Sequence, residues 1–222
     1  EVNIPVEGTT EGSMVALRRL LEDHGLRHKP IWITEMGWPN NTAAYGASPL
    51  KSASYLVRTF ATAWAHGIDT VDWYCYGDGS DWQYNQESAF GILDDQGQPK
   101  PAYFAWLTLD RLLAREPSLG SATAALRLPA DGSALRFGTH DRQITVVWLA
   151  PETLFSDQGP LPAAEQQATV RTPPGTQAII DMTGHRVPLG ATFTASAYPV
   201  YLVTTSRKAS GRLSPGETPS RK

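Results

Sequence analysis

Cysteine is nearly absent from the 222 residues. Cys75 stands alone, which excludes an internal disulfide framework and any zinc site built on several thiolates. Charge of either sign is also scarce: 18% of residues are charged, 19 basic against 22 acidic, for a formal net charge of −3. A balance of that kind leaves no electrostatic footprint for nucleic acid. No stretch approaches the roughly 18 consecutive apolar residues of a membrane-spanning helix, so neither nucleic acid nor membrane is expected as a partner. His24, His28, His66, His140 and His185 are scattered without ligand spacing, so no metal and no cofactor is expected. There is no Gly-rich phosphate loop and no Ser-centred nucleophile elbow. Asn41-Thr42-Ala43 fails as a glycosylation acceptor because its third residue is alanine. The chain starts at Glu1, and no charged-then-apolar leader follows. Further sequence, with any export signal, is therefore expected upstream.

What is present is apolar and aromatic. A hydrophobic fraction of 41% with 9% aromatics suffices for one large core or two modest ones, and is too high for a disordered chain. Six of the seven tryptophans precede Glu116-Pro117-Ser118, where the pattern changes from alternating helices and strands to short strands. Residues 207–222, rich in Ser, Pro, Gly and charge, read as a disordered tail.

In the first half, Ser13 is expected to cap a helix carrying Met14, Leu17, Leu20 and Leu21 at helical spacing, ended by His24-Gly25. Ile31 to Glu35 reads as a parallel strand covered on both faces, with Ile31, Ile33 and Glu35 on one side and Trp32 and Thr34 on the other. A helix over Ser54–His66, a strand over Thr70–Tyr76, a polar loop reaching Glu87 and a helix from Pro101 to about Ala114 complete a βα pattern. In the second half seven strands are expected: Ala124–Leu128, Ala134–Thr139, Gln143–Leu149, Ala168–Arg171, Gln177–Asp181, Thr192–Ala195 and Val200–Thr204. Asp131-Gly132 is the turn between the first two. Such spacing suggests an antiparallel sandwich. With no clustered carboxylates and no exposed aromatic row, it is expected to be structural.

Glu35 is the most informative residue. It ends an apolar strand, where α/β barrels place catalytic groups, and Trp38 follows close by. A carboxylate beside an indole suits attack on a sugar carbon; a solvated acid at a strand end is the plainer alternative. The run Lys29-Pro30-Ile31-Trp32-Ile33-Thr34-Glu35-Met36-Gly37-Trp38-Pro39 closely resembles the seventh-strand motif of clan A glycoside hydrolases, particularly family 39 and family 5-like members. Val71-Asp72-Trp73-Tyr74-Cys75-Tyr76-Gly77-Asp78-Gly79 is similar to their eighth strand and the loop after it. Glu87-Ser88-Ala89-Phe90-Gly91-Ile92-Leu93-Asp94 is similar to the segment that follows, with Ser88 where His is common. Gly97-Gln98-Pro99-Lys100-Pro101-Ala102-Tyr103 resembles the entry to the last barrel helix.

The resemblance implies an α/β plus all-β fold. Residues 1–117 would be the C-terminal portion of a TIM barrel, its last two βα units, and 118–206 a small antiparallel β-sandwich. It implies a retaining hydrolase acting on an oligosaccharide or polysaccharide in a secreted or periplasmic setting, with Glu35 as nucleophile. Trp38, Trp73, Tyr76, Asp78, Trp82 and Glu87 are the candidate substrate-binding residues, and exposed Tyr84 is a further one. A complete barrel takes about 250 residues, so an N-terminal barrel portion is expected to be missing. The family's acid/base is the Glu of an Asn-Glu pair, and no Asn here is followed directly by Glu. Asp78, Asp81 and Glu87 are the local carboxylates that could substitute. The chain alone is therefore expected to be inactive. The rival reading is a non-catalytic carbohydrate-binding protein that holds sugar on Trp38, Trp73 and Trp82.

Overall fold

The computed structural model describes Val6 and residues 10–41, 47–150 and 167–205. The tail expected over 207–222, and Thr42 and Ala43 of the failed acceptor, lie outside the described residues.

Helix α1 (Glu11–Asp23) begins before the expected cap. Ser13 lies inside the first turn, Glu11 supplies a favourable acidic residue there, and His24 with left-handed Gly25 (φ 71°) ends the helix. Strand β1 (Trp32–Met36) follows, then α2 (Pro49–Ala65), five residues longer at its start than expected. The overlooked signal is Ser48-Pro49. Ser48 Oγ accepts from the Lys51 N–H at 3.2 Å, and Pro49 occupies the first turn, where its missing N–H costs nothing. Strand β2 (Thr70–Trp73) pairs in parallel with β1 and stops three residues earlier than expected. A loop closed by Cys75–Phe90, Leu93–Tyr76 and Lys100–Ile92 backbone bonds leads into α3 (Pro101–Leu113).

Helix α2 is buried all round from Lys51 to Ala63, because three neighbours share it. Leu56, Val57 and Phe60 belong to one core with Ile31 and Val71 of the parallel pair, Leu109 and Leu113 of α3, and Val146, Trp148 and Tyr201 of the later sheet. Ser54 Oγ donates to the Ala197 carbonyl at 2.6 Å and pins the helix to the second half.

That second half holds β3 (Ser118–Ser121), α4 (Thr123–Leu126), β4 (Gly132–Gly138), β5 (Arg142–Leu149), β6 (Ala168–Arg171), β7 (Thr176–Asp181), β8 (Arg186–Val187), β9 (Thr192–Ala195) and β10 (Val200–Thr205). Six strands form an antiparallel sheet in the order β3-β4-β5-β10-β7-β8, and β6 pairs antiparallel with β9. One face of the large sheet packs on α2 and α3. On the other, Ala134, Val147, Leu149 and Leu202 meet Val170 and Phe193 of the small pair. Residues 144–149 are therefore buried on both sides, which suits their β-branched and aromatic character.

The expected strand at 124–128 is instead α4, where Ala124 and Ala125 favour helix. The Asp131-Gly132 turn accordingly joins helix to strand rather than strand to strand. Strand β3, exposed at all four positions, and the two-residue β8 lack any hydrophobic alternation by which sequence could announce them.

Candidate active site

Strand β1 departs from strict alternation where it matters. Ile33 stands opposite Val71 and Met36 opposite Trp73, so three steps on β1 match two on β2. The extra residue is a β-bulge, which re-aims side chains and bends a strand locally. Without it Glu35 would follow Ile31 and Ile33 toward the helices. With it Met36 takes that place in the core, and Thr34 and Glu35 are both exposed. The expected grouping of Glu35 with Ile31 and Ile33 is therefore corrected. Glu35 shares the open side with Trp32, which is 64% exposed. The expectation that this strand is covered on both faces fails for the same reason: α2 covers one face and nothing described covers the other. Just after the bulge, Gly37 passes so close to the Tyr74 carbonyl that any Cβ would collide with it. The Tyr74 N–H donates to Met36 O at 2.8 Å, drawing the two strand ends together.

On β2, Val71 and Trp73 pack toward the helices while Asp72 is exposed. The register places Asp72 across from the bulge, so two carboxylate-bearing residues, Glu35 and Asp72, occupy adjacent strands on the open face. Sequence reasoning passed over Asp72. The apolar–polar–apolar run Val71-Asp72-Trp73 was the available signal.

The candidate substrate residues divide by burial. Trp38 is 6% exposed and packs on Tyr55 and Trp73, with ring centroids 4.9 and 5.7 Å apart. Trp73 also meets Phe60 at 6.4 Å. Trp38 is a core group, and Trp73 is half-buried against the same cluster. The Asp78 side chain is buried as well. Its carboxylate is 3% exposed, lies 2.6 Å from Lys100 Nζ and accepts the Gly91 N–H at 2.8 Å. It holds the loop to the start of α3 and presents nothing to a ligand. Tyr76 and Glu87 are exposed, and Trp82 is half-buried with its carbonyl accepting from Asn41 Nδ2 at 3.1 Å. Tyr84 is 89% exposed.

The loop carboxylates do not reach Glu35 through any hydrogen bond or ion pair among the described residues. Asp81 accepts from Ser88 and from Asn85 Nδ2, and these bonds hold its carboxyl below the usual range. Ser88, which stands where His is common in the resembled family, thus makes a polar contact of its own. Burial pushes the Cys75 thiol up, opposite to what an activated nucleophile needs. Among the described residues no three His, Cys, Asp or Glu side chains gather as a metal cage, and no helix is long and apolar enough to cross a membrane.

No family model matches the chain, and no curated protein is similar to it. Solved structures are. A family 39 glycoside hydrolase from Bacteroides cellulosilyticus superposes with a TM-score of 0.68 at 22% identity, over 87% of this chain and 38% of that one. A glucosidase from Croceicoccus marinus gives 0.52 at 12% identity, over 92% and 52%. A family 30 endoxylanase from Clostridium papyrosolvens gives 0.50 at 10%, over 85% and 45%. The chain thus spans well under two thirds of each. At these identities the likeness is one of architecture: mixed helices and strands with antiparallel sheets, arranged as a glycoside hydrolase-like fold.

Proposed function

We propose that this chain is the C-terminal part of a retaining glycoside hydrolase, with Glu35 as the nucleophile. Residues 1–117 would supply the last two βα units of a TIM barrel, and 118–206 an appended β-sandwich. The observation that carries this reading is the bulge in β1, which turns Glu35 out of the helix-facing core onto the open side of the parallel pair at its carboxyl end. A retaining mechanism needs a second carboxyl about 5–5.5 Å from the nucleophile to protonate the leaving group. We assign that acid/base to barrel strands outside these 222 residues, since no Asn-Glu pair occurs here. Tyr76, Trp82 and Glu87 remain as substrate contacts, and the substrate is an oligosaccharide or polysaccharide met outside the cytoplasm. Burial of Trp38 and the packing of half-buried Trp73 against it weigh against a purely carbohydrate-binding reading that depends on both indoles.

The test uses the longer chain that supplies the remaining strands. Glu35→Gln should abolish turnover of aryl glycosides, and azide should restore product from Glu35→Gly with inverted anomeric configuration. Near-wild-type turnover by Glu35→Gln would overturn the assignment.

A further inference from the structure

The large sheet has a second exposed feature, far from Glu35 in the fold. The small β6–β9 pair covers only part of its outer face. At the margin of that cover, where Leu202 is still buried, register lines up Arg136, Thr145 and Leu202 across three strands, and Gly138, Gln143 and Thr204 in the next row. Helix α4 and the Pro173-Pro174 turn wall in this end and leave a groove of about 290 Å³.

Arg136 is the anomaly in it. Its Nε is fully buried with no hydrogen-bond partner, and the side chain makes no ion pair among the described residues. A buried donor left unmet is costly, and more so when charged. Among the described residues no carboxylate lines the groove. His140 stands at its margin, where it is exposed and lies 3.5 Å from Asp141, so among the described lining residues Arg136 is the free cation. Guanidinium presents planar paired donors that match a carboxylate. Beside it Gln143 and Thr145 offer amide and hydroxyl groups, Thr204 Oγ1 already donates to the Gln143 carbonyl at 3.2 Å, and Pro173-Pro174 offers an apolar wall.

We propose that this groove binds a carboxylate-bearing sugar unit, a uronate, with the carboxylate on Arg136 and the ring against the two prolines. One cation suits a monoanion better than a phosphate dianion. The volume sits at the low end of the roughly 300–1,000 Å³ typical of small-ligand sites, enough for one sugar ring and too little for an extended peptide. The described lining residues include no aromatic platform, so among them a neutral sugar finds neither stacking nor charge. The groove thus changes the expectation that the second half is only structural. It stands independently of the role given to Glu35.

Isothermal titration of the full chain with galacturonate tests it, with galactose and acetate at matched ionic strength as controls. Galacturonate should bind with a Kd on the order of 1 mM or tighter, and both controls at least tenfold more weakly. Arg136→Met should weaken galacturonate at least tenfold, Arg136→Lys should recover part of that, and Glu35→Gln should bind as wild type. If Arg136→Met fails to melt cooperatively, Thr145→Val, nearly isosteric and lacking the hydroxyl, should still weaken galacturonate. Absence of binding would overturn the proposal, as would equal binding of acetate (an adventitious ion only) or of galactose. So would an unchanged Kd in a folded Arg136→Met, or in Thr145→Val where that variant carries the test.

Discussion

Removing the Asp78 carboxylate should unlock the loop that follows β2. In Asp78→Ala, Lys100, whose side chain is 12% exposed, is left without this partner, and the buried Gly91 N–H loses its acceptor. Breaking a buried pair from one side costs about 3–5 kcal/mol. Lys100 can swing partly to water, so about 3 kcal/mol is expected here. At roughly 2–4 °C per kcal/mol for a chain of this size, the melting temperature should fall by about 6–12 °C. Asp78→Asn keeps an acceptor for Gly91 and loses only the charge, so about half that cost is expected. In Asp78→Asn/Lys100→Met no charge is stranded, and stability should return to within about 1 kcal/mol of wild type. Urea unfolding at low protein concentration, read by tryptophan fluorescence, measures these four proteins and the Lys100→Met single variant that closes the cycle. A loss below about 1 kcal/mol for Asp78→Ala, or additive single effects in the double variant, would refute the structural role of this pair and return Asp78 to the list of candidate ligand contacts.

Trp38→Ala should cost about 3–5 kcal/mol by thermal melting, as for a large aromatic deleted from a core, whereas fully accessible Tyr84→Ala should stay within about 0.5 kcal/mol. The Asp81 carboxyl, followed by NMR titration, should titrate below 3.8, and Ser88→Ala should move its midpoint up. A depressed carboxyl stabilises the fold above its unfolded pKa and loses that contribution as pH falls through the folded value, so any effect appears only in acid. The 222-residue chain alone should release no nitrophenol from aryl glycosides, because general-acid catalysis contributes about 10²–10⁴-fold. It should also bind an apolar dye, because Trp32, Leu17, Leu20, Phe104 and Leu107 are exposed.

Sequence by itself determined the elements whose neighbours are near in the chain or whose pattern is strong. Pro101 opening α3, Gly25 closing α1 and the β-branched run of β5 follow from local chemistry, and the structure has them within a residue or two. Sequence also singled out Glu35, because an acid ending an apolar run stands out against its surroundings. Tertiary structure decided which way that acid faces. Alternation alone sends Glu35 toward the helices, and only pairing with β2, which leaves one residue of β1 unmatched, turns it to the open side. Burial was equally non-local. Trp38 is covered by Tyr55, from a helix 17 residues on, and Asp78 is neutralised by Lys100 across the loop. The Arg136 groove assembles from three strands, a short helix and a proline turn. No local pattern reports it, because hydrogen-bond satisfaction and charge pairing become countable only once distant segments have packed.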